Sequence, residues 1–236
     1  HSVSATSAIN ESLTVSGNAA ISGALTVGGS VTKTGKLTVV NITWASGSSM
    51  SGFLNGSIDV SGNWEFSTGS AISMGFCGVN FIGSTDTQII SKSAGSSFYA
   101  VTINKNSGNT VYISSTSTST LNFSSTVNIN TGSSLNCQAN ITTVFSNNLY
   151  NTGHFSFGMG TVSFEKTSGT QNIQVNTSDL FNNMIINSGG TVTINNTLNL
   201  LNDLTINSGI FDPLGNMVIL FGDWDNNVGP GSFTEG

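Results

Sequence analysis

Two aspartates two positions apart, Asp223 and Asp225, and one internal histidine, His154, are the side chains with which this chain could hold a cation or move a proton. Residues i and i+2 of a strand share a face, so the two carboxylates can converge on an ion. No third carboxylate stands close by in the sequence, and a solvated turn is the expected role. One histidine in a loop builds no Ser/His/Asp arrangement, so His154 reads as a polar turn residue. His1, beside the amino terminus, suits only a stray metal. No residue is therefore assigned a catalytic, cofactor or metal role, and an enzyme is not expected.

Cys77 and Cys137 are the two thiols. Cys137 alternates with Leu135 and Ile141, and Cys77 with Val79 and Phe81, which turns both toward a core. At about 20 residues per coil they stand roughly 14 Å apart along a stack of strands. A disulfide needs Cα atoms within about 7 Å, so two buried free thiols are expected. Trp44, Trp64 and Trp224 offer flat faces for sugar stacking, but Trp64 and Trp224 recur in the matched strings GNW and GDW and read as core or corner fillers.

The composition sets the class. Only 7% of residues are charged, against about 25% in ordinary globular proteins. Recurrent β-branched and aromatic residues argue against disorder. The chain has five lysines, no arginine and a net charge of −6. Nucleic-acid binding needs a basic stripe, and none exists. Apolar runs such as MVILF fall far short of a membrane span. The first residue is His1 rather than Met, the pattern of a mature chain whose targeting segment has been removed. With the scarcity of charge, this gives an extracellular or cell-surface expectation.

The positioning elements come from two repeat systems. In LTVSGN-AAISGA-LTVGGS-VTKTGK-LTVVN, Gly17, Gly23, Gly29 and Gly35 recur every six residues. Leu13, Ala19, Leu25, Val31 and Leu37 fill the first slot of each hexad, and Val15, Ile21, Val27, Lys33 and Val39 the third. Slots one and three share a strand face, and the glycine allows a corner. Helix is excluded, because glycine at that spacing costs about 1 kcal/mol each time. Lys33 interrupts the apolar slot, which places its corner in solvent or against another chain. The second system spans about 80 residues. Thr87, Phe98, Val101, Ile103 and Asn104 match Thr170, Phe181, Met184, Ile186 and Asn187, all 83 positions on.

Short strands spaced by NTG, NSG and GSS turns fill the remainder, and stacking them buries one apolar column. The expected fold is all-β: a right-handed parallel β-solenoid, with β-sandwich repeats as the alternative. Three sections are expected. Residues 1–12 form an extended segment, 13–59 the hexad section, and 60–236 a solenoid of about two 80-residue repeats, the last incomplete.

The strings GDWDNN…GSF, GTVSF, FNNMIIN and SGGTVTINNTLNLLNDLTINSG resemble tandem repeats of large secreted microbial surface proteins, a likeness covering residues 60 to 236. LTVSGNAAISGALTVGG is similar to segments of phage tail fibres and bacterial fibre proteins. Both resemblances imply structural or adhesive roles and bring no catalytic residues. Among β-helical enzymes, pectate-lyase-like proteins need an Arg base, which this chain lacks.

Two function classes follow. One is a structural subunit of an extracellular filament, assembling with copies of itself head-to-tail by strand stacking or strand addition. The other is a fragment of an adhesin or carbohydrate-binding stalk with cell-surface glycans as partners. In GDWDNNVGPGSFTEG, Phe233 answers to Phe155 of FSNNLYNTGHFSF, and the GTVSF-type strand that follows the earlier copy is missing. The segment His1 to Val15 of a neighbouring subunit is expected to supply it. The assembly residues named on this reading are Ser2, Val3, Ala5, Ile9, Leu13, Val15, Trp224 and Phe233.

Overall fold

The computed structural model is a β-solenoid. It describes residues 2–3, 7–9, 13–15, 19–27, 30–33, 36–51, 56–70, 75–91, 97–106, 108–115, 120–137 and 141–235, with side chains from residue 36 onward apart from 49–51, 88, 91, 115 and 157. Every strand pairing is parallel, which excludes the sandwich alternative, whose sheets are antiparallel. The one helical element among the described residues is a 3-10 turn, Pro230–Ser232.

Each rung contributes three strands, one to each of three faces. On the first face Leu37, Ile58, Val79, Val101, Val127 and Leu149 lie in successive register. On the second, Ile42, Trp64, Ile89, Ile113 and Cys137 do the same. On the third, Phe98, Phe123, Phe145, Phe164, Ile186 and Ile206 are aligned. All these side chains are buried and form one continuous core. The third-face phenylalanines stack nearly flat, with centroids 5.6, 5.2 and 5.7 Å apart from Phe98 to Phe164. Identical rings at strand spacing adopt this offset geometry because it keeps the faces in contact.

The hexad explains the first rungs. Leu13 pairs Val31 and Ala19 pairs Leu37, so three hexads make one rung and each hexad supplies one face. The first strands belong to the stack of their own chain: Ser2–Val3 pairs Ala20 and Ile21, and Ser7–Ile9 pairs Leu25 to Val27. The ladder runs on without interruption from residues 38 and 39 through 59 and 60 to 80 and 81, so the hexad section and the later solenoid are continuous.

The 83-residue repeat is out of phase with the rungs. Thr87 lies on the second face and Thr170 on the first. Phe98 is on the third and Phe181 on the second, while Val101 is on the first and Met184 on the third. Each matched residue has moved back by one face, a third of a turn. GNW and GDW, two repeats apart, move two faces: Trp64 is on the second and Trp224 on the third. Phe155 and Phe233 likewise occupy the second and first faces, so they are not structural counterparts. The faces interchange because each demands only an apolar alternation of a few residues and a permissive corner.

The open terminal rung and the side-chain acceptor ladder

GNW and GDW nevertheless share a local device. Asn41 Oδ1 accepts the backbone N–H of Asn63 across one rung at 2.6 Å, and Asp203 Oδ1 accepts that of Asp223 at 2.9 Å. In both places a glycine stands just before the donor, Gly62 and Gly222. A Cβ there would collide with the accepting oxygen of the rung before, at 2.3 and 2.4 Å. The motif therefore encodes a side chain of one rung laid over the glycine of the next. The same polarity recurs without glycine: Asp86 Oδ1 accepts from Thr110 N, Asn148 Oδ1 from Asn172 N, and Asn183 Oδ1 from Asp203 N. These bonds satisfy corner N–H groups that the strand ladder leaves out.

At the last rung the pattern opens. Val218–Leu220 pairs Leu198–Leu200, and Trp224–Asn226 pairs the start of Leu204–Asp212. No described strand pairs the opposite edge of either. The cost is visible in burial. Trp64, covered on both sides, is 0% exposed, whereas Trp224 is 37% exposed. Trp224 is thus not the core filler expected from its motif, because no described rung lies beyond it. It packs edge-on against Phe233 with ring centroids 4.7 Å apart, and Phe233 bridges back to Phe211. Seven of the eleven exposed large apolar side chains fall between Leu201 and Val228, so the apolar surface is concentrated at this end.

Of the expected assembly residues, Trp224 and Phe233 therefore meet in one cluster. Ser2, Val3, Ile9, Leu13 and Val15 sit in strands of the first rung, at the opposite end of the stack, and Ala5 lies outside the described residues. The side chain of Lys33 is also outside them.

One arrangement went unread in the sequence. Asp179 is buried on the connection before Leu180–Phe181, and its carboxylate accepts four hydrogen bonds. Oδ1 takes His154 Nδ1 at 3.0 Å and Phe155 N at 2.9 Å; Oδ2 takes Asn151 Nδ2 at 2.6 Å and Asn176 N at 2.8 Å. His154 is a hydrogen-bonded partner rather than a loose turn residue. Its ring is half-exposed beside a cavity of about 300 Å³ lined with glycine, serine and threonine. Ser134 is its neighbour in register, yet among the described residues no serine or cysteine hydrogen-bonds to the imidazole. The pair pins a loop and has no nucleophile.

Two further buried groups have structural roles. Lys105 donates from Nζ to the carbonyls of Ser61 and Ile82, and burial lowers its pKa to about 8, partly offset by Asp86. Cys77 and Cys137 are free and buried, as expected, and burial pushes the Cys137 thiol up to about 12, which makes it inert as a nucleophile. Among the described residues no group of three His, Cys, Asp or Glu side chains gathers to hold a metal, and no helix is long and apolar enough to cross a membrane.

Comparison with family models, with characterised proteins and with solved structures returns no match, so the functional reading rests on the geometry above.

Proposed function

We propose that the chain is a structural subunit of an extracellular filament or fibre, assembling head-to-tail through its end rungs. The observation that carries this reading is the open rung at Val218–Leu220 and Trp224–Asn226, paired on one edge with its inward side chains half-exposed. Unpaired parallel edges template further strands. A heterologous contact that does not close on itself propagates as a filament.

Charge distribution favours a second copy as the occupant. Residues 167–236 carry six acidic side chains and no lysine or arginine, whereas all five lysines lie at or before Lys166. Opposite ends of two copies therefore attract, and like ends repel. Stacking of rungs is the mode we infer, because Ser2–Val3, Ser7–Ile9 and Leu13–Val15 are already paired within their own chain. The scarcity of charge supports the extracellular setting.

Electron microscopy and sedimentation of the purified chain across a concentration series test this. Uniform unbranched filaments above a critical concentration are expected, with Trp224→Ser shifting that concentration upward. Isolated rods at every concentration would overturn the proposal.

A second reading, glycan binding by a surface stalk, is favoured by one feature. Tyr150 is exposed on the first face beside a shallow groove of about 230 Å³ lined also by Asn172, Gln174, Thr193 and Asn195. A flat ring among neutral hydrogen-bonding groups suits a sugar. Retention on immobilised polysaccharide that Tyr150→Ala abolishes would support it; equal retention of the variant would remove it.

A further inference from the structure

The side-chain ladder across rungs has a direction. In five places an Asn or Asp oxygen of the earlier rung accepts a backbone N–H of the later one: Asn41 from Asn63, Asp86 from Thr110, Asn148 from Asn172, Asn183 from Asp203, and Asp203 from Asp223. Asp223 is last in this series. Its N–H is satisfied by Asp203, while its own carboxylate accepts no hydrogen bond from a described residue and is exposed.

We propose that Asp223 is the acceptor that joins one subunit to the next and gives the filament its polarity. The proposal rests on the head-to-tail reading above and names the group that enforces it. Its partner is a backbone N–H at the corner leading into the third face of the neighbouring copy's first rung, where Leu13–Val15 opens that face. Only that orientation delivers a donor to Asp223. Two C-terminal rungs brought together would set carboxylate against carboxylate, two acceptors of the same charge, so tail-to-tail pairs are rejected. The joint thus repeats across two chains the bond that Asp203 makes within one.

The acceptor must be an oxygen, but it need not carry a charge, since Asn183 serves the same corner two rungs earlier. Asp225, two residues on and outward-facing, has no place in the ladder and serves as a control for charge alone. The test compares the critical concentration for filament formation of the wild-type chain with that of Asp223→Ala, Asp223→Asn and Asp225→Ala, each checked for an unchanged thermal unfolding curve. Asp223→Ala is expected to raise it at least tenfold, while Asp223→Asn stays within about threefold of wild type, in line with an interaction worth about 1.5 to 3 kcal/mol. Asp225→Ala should not raise it. If Asp223→Ala assembles like wild type, or if the two alanine variants behave alike, the ladder is not the joint, although rung stacking survives. If the wild-type chain forms no filaments, the head-to-tail reading and this inference fall together.

Discussion

Phe145 and Trp224 stand on the same face of the same solenoid and differ in what lies beyond them. Phe145 has a phenylalanine above and below, Phe123 at 5.2 Å and Phe164 at 5.7 Å, and it is fully buried. Trp224 has Leu204 on one side, Phe233 against its edge, and solvent elsewhere. An interior rung spends its apolar surface within the chain; the terminal rung holds much of its surface in reserve. In a stack where each rung touches only its neighbours, stability and interaction capacity are therefore traded along one axis.

The sharpest way to break that comparison is to truncate both rings in dilute, unassembled protein. Phe145→Ala should cost about 4 kcal/mol of unfolding free energy, because it opens a cavity between fixed rungs. Trp224→Ala should cost about 1 kcal/mol. Denaturant titration measures both, and equal losses would show that the terminal rung is as tightly held as the interior.

Asp179 extends the comparison to corners. Asp179→Ala strands the N–H groups of Phe155 and Asn176 and the amide of Asn151, and a loss of about 3 kcal/mol is expected in the same titration. The exposed Asp223→Ala should leave monomer stability nearly unchanged.

Lys105 supplies a pH test. Its folded pKa, about 8, lies below the unfolded value near 10.5. Below pH 8 both states carry the proton and the cost of burying the charge is fully present. Between pH 8 and about 10.5 the folded state releases the proton first, so stability rises with pH. The neutral amine still has hydrogens for Ser61 and Ile82. Relative to Lys105→Met, the wild-type chain should gain about 1 to 3 kcal/mol between pH 7 and pH 10; parallel pH profiles would refute this.

The smallest effect lies in the last rung. Leu214 is the one described residue other than glycine with positive φ, at 53°, and Gly215 follows at 76°, with Asn216 N donating to Pro213 O. Two positive-φ central residues suit Asn-Gly. Leu214→Asn should raise stability by about 0.5 kcal/mol in a thermal melt.

The fold was legible in the sequence for a physical reason. Glycine every sixth residue and apolar slots at positions one and three leave little besides a three-faced coil, and Leu13 to Leu37 display that rule without interruption. The two thiols were legible for the same reason, since alternation alone decides inward from outward. Other features depend on phase, which accumulates over rungs of unequal length: Val79 meets Val101 after 22 residues, but Val101 meets Val127 after 26. A drift of a few residues decides which face a motif reaches. That drift hid the meeting of His154 with Asp179, 25 positions apart, and made Trp224 look equivalent to the buried Trp64. Trp224 and Phe233 were found because they lie close in sequence as well as in space. The acceptor ladder was written as GNW and GDW, but its meaning needed the rung before each glycine.

The mismatch between the 83-residue repeat and the rung works like a thread whose markings advance by two thirds of a circle at each interval. A motif copied along the chain emerges on each of the three sides in turn and regains its starting side after three copies. Lengthening such a chain by duplication therefore spreads one surface pattern around the whole circumference, so a rod built this way has no preferred flank to present to its surroundings.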